Sequence, residues 1–282
     1  MLVNTKEMLL AAQREKSAVA AFNVFNLETV QAAVRAAELE KRPVIIALGE
    51  RYFSTVDAEG FSAMVRAIAA KSEVPCALHL DHAYEKQSIV RAISCGFTSV
   101  MFDGSKYELE QNMALTLEIV ELAHRSGVSV EAEIGSVSRG AFSDEEEGDG
   151  RLTDPAEAKR FVEETGVDFL AAAIGTVHGM YAGEPKIDLE LLARIRSAVG
   201  VPLVLHGGSG TPDEIISKAV RTGICKVNVN TEVSLAAVAE LVKFASSPNA
   251  RQAHLSTVMA GLQDTMTPVM RKFVRLLGSA AE

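Results

Sequence analysis

Residues 76–103, CALHLDHAYEKQSIVRAISCGFTSVMFD, hold one repeating unit of the chain. Cys76 to Asp81 is an apolar run of strand length, Ser88 to Ser94 has helical spacing, and Ser99 to Phe102 is a second short apolar run. Outward from this unit the alternation continues. Further strand-like runs lie at Val19 to Asn23, Val44 to Leu48, Ser129 to Glu133, Phe169 to Ile174, Leu203 to His206 and Lys226 to Val229, eight in all. Helical patterns fall between them at Leu27 to Leu39, Ala58 to Ala70, Glu108 to Ser126, Pro155 to Thr165, Asp188 to Ala198 and Pro212 to Arg221. Several strands are apolar almost without a break, as a parallel sheet covered by helices requires. Eight strand-helix units with right-handed crossovers can close on themselves. The expected fold is therefore α/β, a single (β/α)8 TIM-type barrel over residues 1–282 with a C-terminal helical extension. No GxGxxG follows the first strand, where Phe22-Asn23-Val24-Phe25-Asn26 stands, so a dinucleotide-binding sheet lacks its fingerprint.

Composition narrows the function classes. The 282 residues carry 28 Lys and Arg against 37 Asp and Glu, a net charge of −9, which argues against nucleic-acid or anionic-membrane binding. Apolar residues make up 48% and charged residues 23%, enough for a large core and unlike a disordered chain. No stretch of roughly 20 apolar residues occurs. Lys6, Glu7, Arg14 and Glu15 stand where a secretory segment would need apolar residues, so a cytoplasmic protein is expected. Cys76, Cys95 and Cys225 are far apart and without CxxC spacing, as reduced core thiols would be. The one compositional break, Ser138 to Asp149, includes Asp144-Glu145-Glu146-Glu147-Gly148-Asp149 and reads as a mobile acidic loop after the fifth strand.

Three of the six histidines, His82, His178 and His206, fall at or just after the ends of the third, sixth and seventh strands. In a barrel those ends meet on one face. Three imidazoles with an open fourth position make a catalytic zinc site rather than a closed structural one. His79 in mid-strand, and His124 and His254 in helical patterns, are expected to be structural. Asp81 adjoins His82, and neighbours in a regular strand face opposite ways. The conflict disappears if His82 lies just beyond the last ladder residue, leaving Asp81 at the barrel rim to exchange a proton. Asp103 and Glu133 share that face, either at a second metal position or as partners that orient the histidines.

Two loops suit a phosphate. Gly207-Gly208-Ser209-Gly210-Thr211-Pro212-Asp213 allows close backbone approach, with amides expected to be free for an anion. Asn228-Val229-Asn230-Thr231 leads into a helix start. These are the loops after strands seven and eight, where barrels commonly bind phosphate.

The motifs together resemble the class II, metal-dependent ketose-bisphosphate aldolases, the fructose and tagatose bisphosphate enzymes. The likeness is carried by His79-Leu80-Asp81-His82, Ser99 to Ser105, Val130-Glu131-Ala132-Glu133, Gly175-Thr176-Val177-His178-Gly179, His206 to Gly210 and Asn228-Val229-Asn230-Thr231-Glu232. It implies a carbon-carbon lyase of carbohydrate metabolism and glycolysis that cleaves a phosphorylated ketose to dihydroxyacetone phosphate and an aldehyde. Asp81 would move the C4 hydroxyl proton, and His82, His178 and His206 would hold zinc. Asn23, Gly179, Gly207, Gly208, Ser209, Asn228, Val229, Asn230 and Thr231 would bind substrate. A monovalent cation, Na+ or K+, would lie nearby, and the assembly would be a homodimer or homotetramer. A Schiff-base lysine does not fit this picture. Lys226 begins its strand and is expected at the opposite end, which leaves Lys106 as the one weak candidate.

The departures from the family pattern concern the aldehyde half of the substrate. The Gly-Gly pair and nearby glutamate usual after strand five are replaced by Ser138-Arg139-Gly140-Ala141, so the acid moves to Glu145, Glu146 or Glu147. Glu145 ranks first because it comes earliest. Gly49-Glu50-Arg51 replaces a serine-containing segment, and Arg51 would attract a phosphate where Glu50 would repel one. A similar acid-arginine pair occurs in the related 6-phospho-5-dehydro-2-deoxygluconate aldolases, the alternative within the family. Arg275, in a stretch like the family's last helix, would reach the distal phosphate in a neighbouring subunit. Outside the family, a zinc hydrolase would not need two phosphate loops, and a non-catalytic barrel subunit would not need Asp81 or the histidines.

Overall fold

The structure is a computed structural model that describes residues 1–248 and 250–278; Ser279, at the end of the last-helix resemblance, lies outside the described residues. Strands β1 (Val19–Asn23), β2 (Val44–Gly49), β3 (Cys76–Ala83), β4 (Ser99–Phe102) and β5 (Ser129–Ile134) make up the first part of the barrel. They are followed by β6 (Ser138–Arg139), β7 (Phe169–Ala172), β8 (Val177–His178), β9 (Leu203–Leu205) and β10 (Ile224–Val229). All except β6 and β8 form one closed parallel barrel in the order β1-β10-β9-β7-β5-β4-β3-β2. The (β/α)8 barrel expected from the alternation is thus present. β6 and β8 pair with each other at the rim.

The helices are α1 (Thr5–Glu15), α2 (Leu27–Glu40), α3 (Ala58–Ala69), α4 (Lys86–Cys95), α5 (Leu109–His124), α6 (Pro155–Thr165), α7 (Leu189–Ala198), α8 (Asp213–Thr222), α9 (Thr231–Ala245) and α10 (Leu255–Gly278). Helix α1 was not foreseen. It starts where Asn4 caps the Lys6 amide at 2.9 Å, and it turns Met8, Leu9 and Ala12 inward. Those three close the lower end of the barrel against Val19, Ala21, Ile45, Ala77, Phe169, Ala171, Val204 and Cys225. A second apolar layer, including Phe22, Ile46, Leu48, Leu78 and Leu80, faces the helices. Because both strand faces are buried, the strands read as apolar runs. Cys76 and Cys225 are buried but Cys95 is only partly so.

Helix α10 packs on α2 and α9, and its Arg271 and Arg275 both bind Glu40 of α2. Those hydrogen bonds, Arg275 first, hold the Glu40 carboxyl down at about 2. His254 lies just before α10, not within a helix, and contacts Ser256. Among the described residues no helix is long and apolar enough to cross a membrane.

Candidate active site

The upper end of the barrel is built from strand irregularities. β3 pairs Leu80 with Val100 of β4, then Ala83 with Phe102, so the two strands advance by different numbers of residues. The extra residue in β3 is a bulge, and His82 takes a left-handed φ of +42°. His82 therefore lies inside the strand, not beyond its last ladder residue as expected. The bulge turns it to the same side as Asp81, at a cost of about 1–3 kcal/mol for a non-glycine residue in that conformation. His82 Nδ1 meets Asp103 Oδ2 at 2.7 Å, which fixes the ring.

Asp81 is buried between two amides. Asn23 of β1 donates to Oδ2 at 2.7 Å and Asn228 of β10 to Oδ1 at 2.8 Å. Burial alone would raise its pKa, yet the charges of His82 and Lys226 hold it well below the usual range. The structure thus places Asn23 and Asn228 on the carboxylate.

His178 comes from β8, beyond the sixth barrel strand, and is held by the pairing of β8 with β6. His206 follows the end of β9. The three rings gather with centroids 4.9, 4.5 and 5.7 Å apart, and their ligand atoms lie within 4.8 Å of one another. His82 Nε2 is 2.8 Å from His206 Nδ1.

Burial, reinforced by His82, keeps His178 and His206 neutral. Burial would do the same to His82, but Glu145, Asp81 and Asp103 outweigh it and raise its pKa well above normal. The carboxylates around His82 thus favour positive charge at this cluster, and three imidazoles beside carboxylates are donor types that a divalent cation takes. A tetrahedral ion with bonds of about 2.0–2.1 Å sets its ligands roughly 3.4 Å apart, so the 2.8 Å between His82 and His206 would need only a small ring movement.

Asp103 and Glu133 form a second possible cluster with His82, again within 4.8 Å. Glu133 accepts from the Val137 amide through Oε1, while Oε2 is buried without a partner. Burial, then Asp103, raises its carboxyl well above normal.

The acidic loop is pinned over the centre. Glu145 is 9% exposed, bonds Arg51 at 2.5 Å, and clusters with Asp81 and His82. Asp144 binds Arg51, Tyr52 and Asn230. Glu145 is therefore held over the histidines, while the exposed Asp144 is tied to the same arginine. Glu146 and Glu147 join Glu145, His82 and His178 in lining a cavity of about 280 Å³ that also takes in Lys106 and Arg151. Lys106 lies against the rings of Tyr84 and Tyr107. Glu50 Oε2 accepts from the Tyr84 amide, so it is turned toward the backbone.

The opposite cavity, about 20 Å³, is lined by Gly179, Gly207, Gly208, Ser209, Asn228, Asn230 and Thr231. A side chain at Gly207, where φ is +74°, would strike the Val177 carbonyl at 2.2 Å, so this loop needs glycine to pass so close. Its amides are less free than expected: Gly208 N donates to Asn228 O and Gly210 N to Glu232. The Val229 side chain is buried in the apolar layer, so Val229 presents backbone only. Thr231 opens α9. Arg275 is not brought to the site within the chain; it lies on α10 against Glu40.

Sequence reasoning missed the buried layer just below. Lys226 is not at the opposite end but inside the barrel, 2.7 Å from Glu131, whose other oxygen meets His206 Nε2 at 2.8 Å. The signal was the two-residue spacing of Glu131 with Glu133 and of Lys226 with Asn228, which puts each pair on one strand face.

A parallel barrel with histidines, a fixed carboxylate and glycine-rich loops at the C-terminal strand ends is the framework of a metal-dependent barrel enzyme. The sequence profile of the family described as fructose-bisphosphate aldolase class-II matches residues 3–282. The chain is 46% identical over 260 residues, 88% of each chain, to a fructose-bisphosphate aldolase of Geobacillus stearothermophilus. It is similar to the crystal structure of the YdjI aldolase from Escherichia coli K12, at TM-score 0.88 and 35% identity over 99% of this chain and 98% of that one. A fructose-bisphosphate aldolase from Campylobacter jejuni, 21% identical over 98% of this chain and 95% of that one, shares the fold at TM-score 0.83. The chain belongs to the class II fructose-bisphosphate aldolase family, whose members are generally metal-dependent carbon-carbon lyases.

Proposed function

We propose that this chain is a zinc-dependent aldolase that reversibly cleaves a ketose 1,6-bisphosphate, fructose or tagatose, to dihydroxyacetone phosphate and an aldehyde. The observation that carries this reading is the convergence of His82, His178 and His206 beside an ionised Asp81. Those histidines would hold the ion. Bound there, zinc supplies Lewis-acid stabilisation of the negative oxygen that develops when the bond next to the ketone breaks.

In cleavage, Asp81 accepts the C4 hydroxyl proton as the C3–C4 bond breaks and C4 becomes the aldehyde. The electron pair left on C3 receives a proton from Glu145, giving dihydroxyacetone phosphate. Condensation reverses both transfers. Burial raises the Glu145 carboxyl, so it keeps its proton to higher pH than a surface acid does. Asn23 and Asn228 hold Asp81 in one orientation, and the glycine loop with Asn230 and Thr231 is suited to the triose phosphate end. A monovalent cation there would balance phosphate charge. Asp103 orients His82 and, with Glu133, offers a second position for the ion.

At the aldehyde end, Arg51 supports an anionic distal group, which also suits the 6-phospho-5-dehydro-2-deoxygluconate alternative. The acidic net charge and the absence of a spanning helix among the described residues support a cytoplasmic enzyme acting on small molecules, without nucleic-acid or membrane partners. Exposed Val238, Leu241 and Val242 on α9 support a homodimer or homotetramer, in which Arg275 of one copy would serve the other's site. A coupled assay with fructose, tagatose and deoxygluconate phosphates, before and after chelation and zinc replacement, tests the proposal. Cleavage of one substrate that disappears with the metal and returns with zinc is expected. Full cleavage after chelation would overturn the metal reading.

A further inference from the structure

The proposed chemistry leaves a group of buried charges unused. Glu131 of β5 and Lys226 of β10 are both fully buried in the barrel interior, joined at 2.7 Å through Glu131 Oε2. Glu131 Oε1 meets His206 Nε2 at 2.8 Å. The far side of Lys226 is closed by His79 Nε2 at 3.4 Å, and His79 Nδ1 continues to Ser99 and from there to Thr5 of α1. A buried ammonium and a buried carboxylate are each costly alone, and the pair is tolerated where hydrogen bonds satisfy both. Here the carboxylate spends its remaining capacity on one imidazole.

An imidazole whose Nε2–H is donated to a carboxylate keeps its free lone pair on Nδ1. In His206, Nδ1 is the atom that faces His82. We infer that Glu131 and Lys226 are positioning residues for His206: Glu131 fixes the ring so that Nδ1 is the ligand atom, and Lys226 anchors the carboxylate that does so. Lys226 therefore serves the centre through two intermediaries and touches neither substrate nor metal. The inference rests on the reading of His206 as a metal ligand.

The test measures zinc affinity by competition with a chromophoric chelator in wild type, Glu131→Gln, Lys226→Met and His206→Gln. Glu131→Gln keeps the shape and one acceptor, so it guards against a trivial loss of folding. Loss of such an outer partner typically weakens metal binding about 10–100-fold. The expected result is that order of weakening in both positioning variants, with altered visible bands when cobalt replaces zinc in Glu131→Gln. Affinities within twofold of wild type in both variants would overturn the inference. ¹⁵N spectra of metal-free wild type give a second readout that needs no variant. A hydrogen on His206 Nε2 supports the inference and one on Nδ1 defeats it. Unchanged zinc binding in His206→Gln would instead defeat the underlying metal reading, so the two failures are distinguishable.

Discussion

The two ends of the barrel interior follow opposite rules. Below Lys226 the inward side chains are mostly apolar, Val19, Ala21, Ile45, Ala77, Phe169, Ala171 and Val204, sealed by Met8 and Leu9 of α1, with the hydrogen-bonded His79, Ser99 and Thr5 as exceptions. Above it they are His82, Asp81, Glu131, Glu133 and His206, each hydrogen-bonded. The lower end gains stability by removing apolar surface from water, about 1.5–3 kcal/mol for a residue such as Leu9. The upper end spends stability on strained backbone and buried charge to hold groups in reactive positions. Stability and chemistry are thus separated along one axis, and substitutions at either end should reveal it.

The largest effect belongs to the upper end. His178→Ala should lose zinc on dialysis and with it nearly all turnover, read by metal analysis alongside the coupled assay. Zinc retained at full stoichiometry would show that the ion sits elsewhere. Next, Asp81→Asn should lower turnover by about 10²-fold or more while zinc content stays unchanged. A variant as fast as wild type would remove Asp81 from proton transfer.

At the lower end the pattern should invert. Leu9→Ala should cost about 2–5 kcal/mol in urea unfolding yet leave the turnover of folded protein intact. A large loss of turnover in native buffer would show that the two ends are coupled. The smallest effect concerns neither end but the outer wall. Glu40 has its pKa lowered from 4.5 to about 2 by Arg275 and Arg271, so its stabilisation is present above about pH 4.5 and is lost as pH falls toward 2. Glu40→Gln should flatten the stability slope in that window and leave neutral stability slightly reduced, as unfolding midpoints across pH would show.

The barrel was legible because a strand buried on both faces must be apolar throughout, and the intervening helices keep their own period. The histidines were legible because His82, His178 and His206 stand where the apolar runs give out, towards the C-terminal ends of their strands. What escaped depends on register. The Asp81–His82 conflict was assigned to a strand that stopped early, whereas the structure resolves it by a bulge. Lys226 was assigned to the wrong end because two residues of its strand, Ile224 and Cys225, were left out. Helix α1 precedes the first strand, outside the strand-helix alternation, and most of its apolar contacts are with residues distant in the chain. The anchoring of the acidic loop joins Arg51 to Glu145, a pairing that neither residue's neighbours announce.

That anchoring has a kinetic consequence. The roughly 20 Å³ beside the glycine loop holds about one water, and Asp144 and Glu145 form part of its wall. Under the proposed function, a triose phosphate seated there would have to displace the Asp144 and Glu145 side chains, so these two tethered groups would act as its competitor. The speed with which the loop yields would then set a ceiling on how fast the site can be refilled.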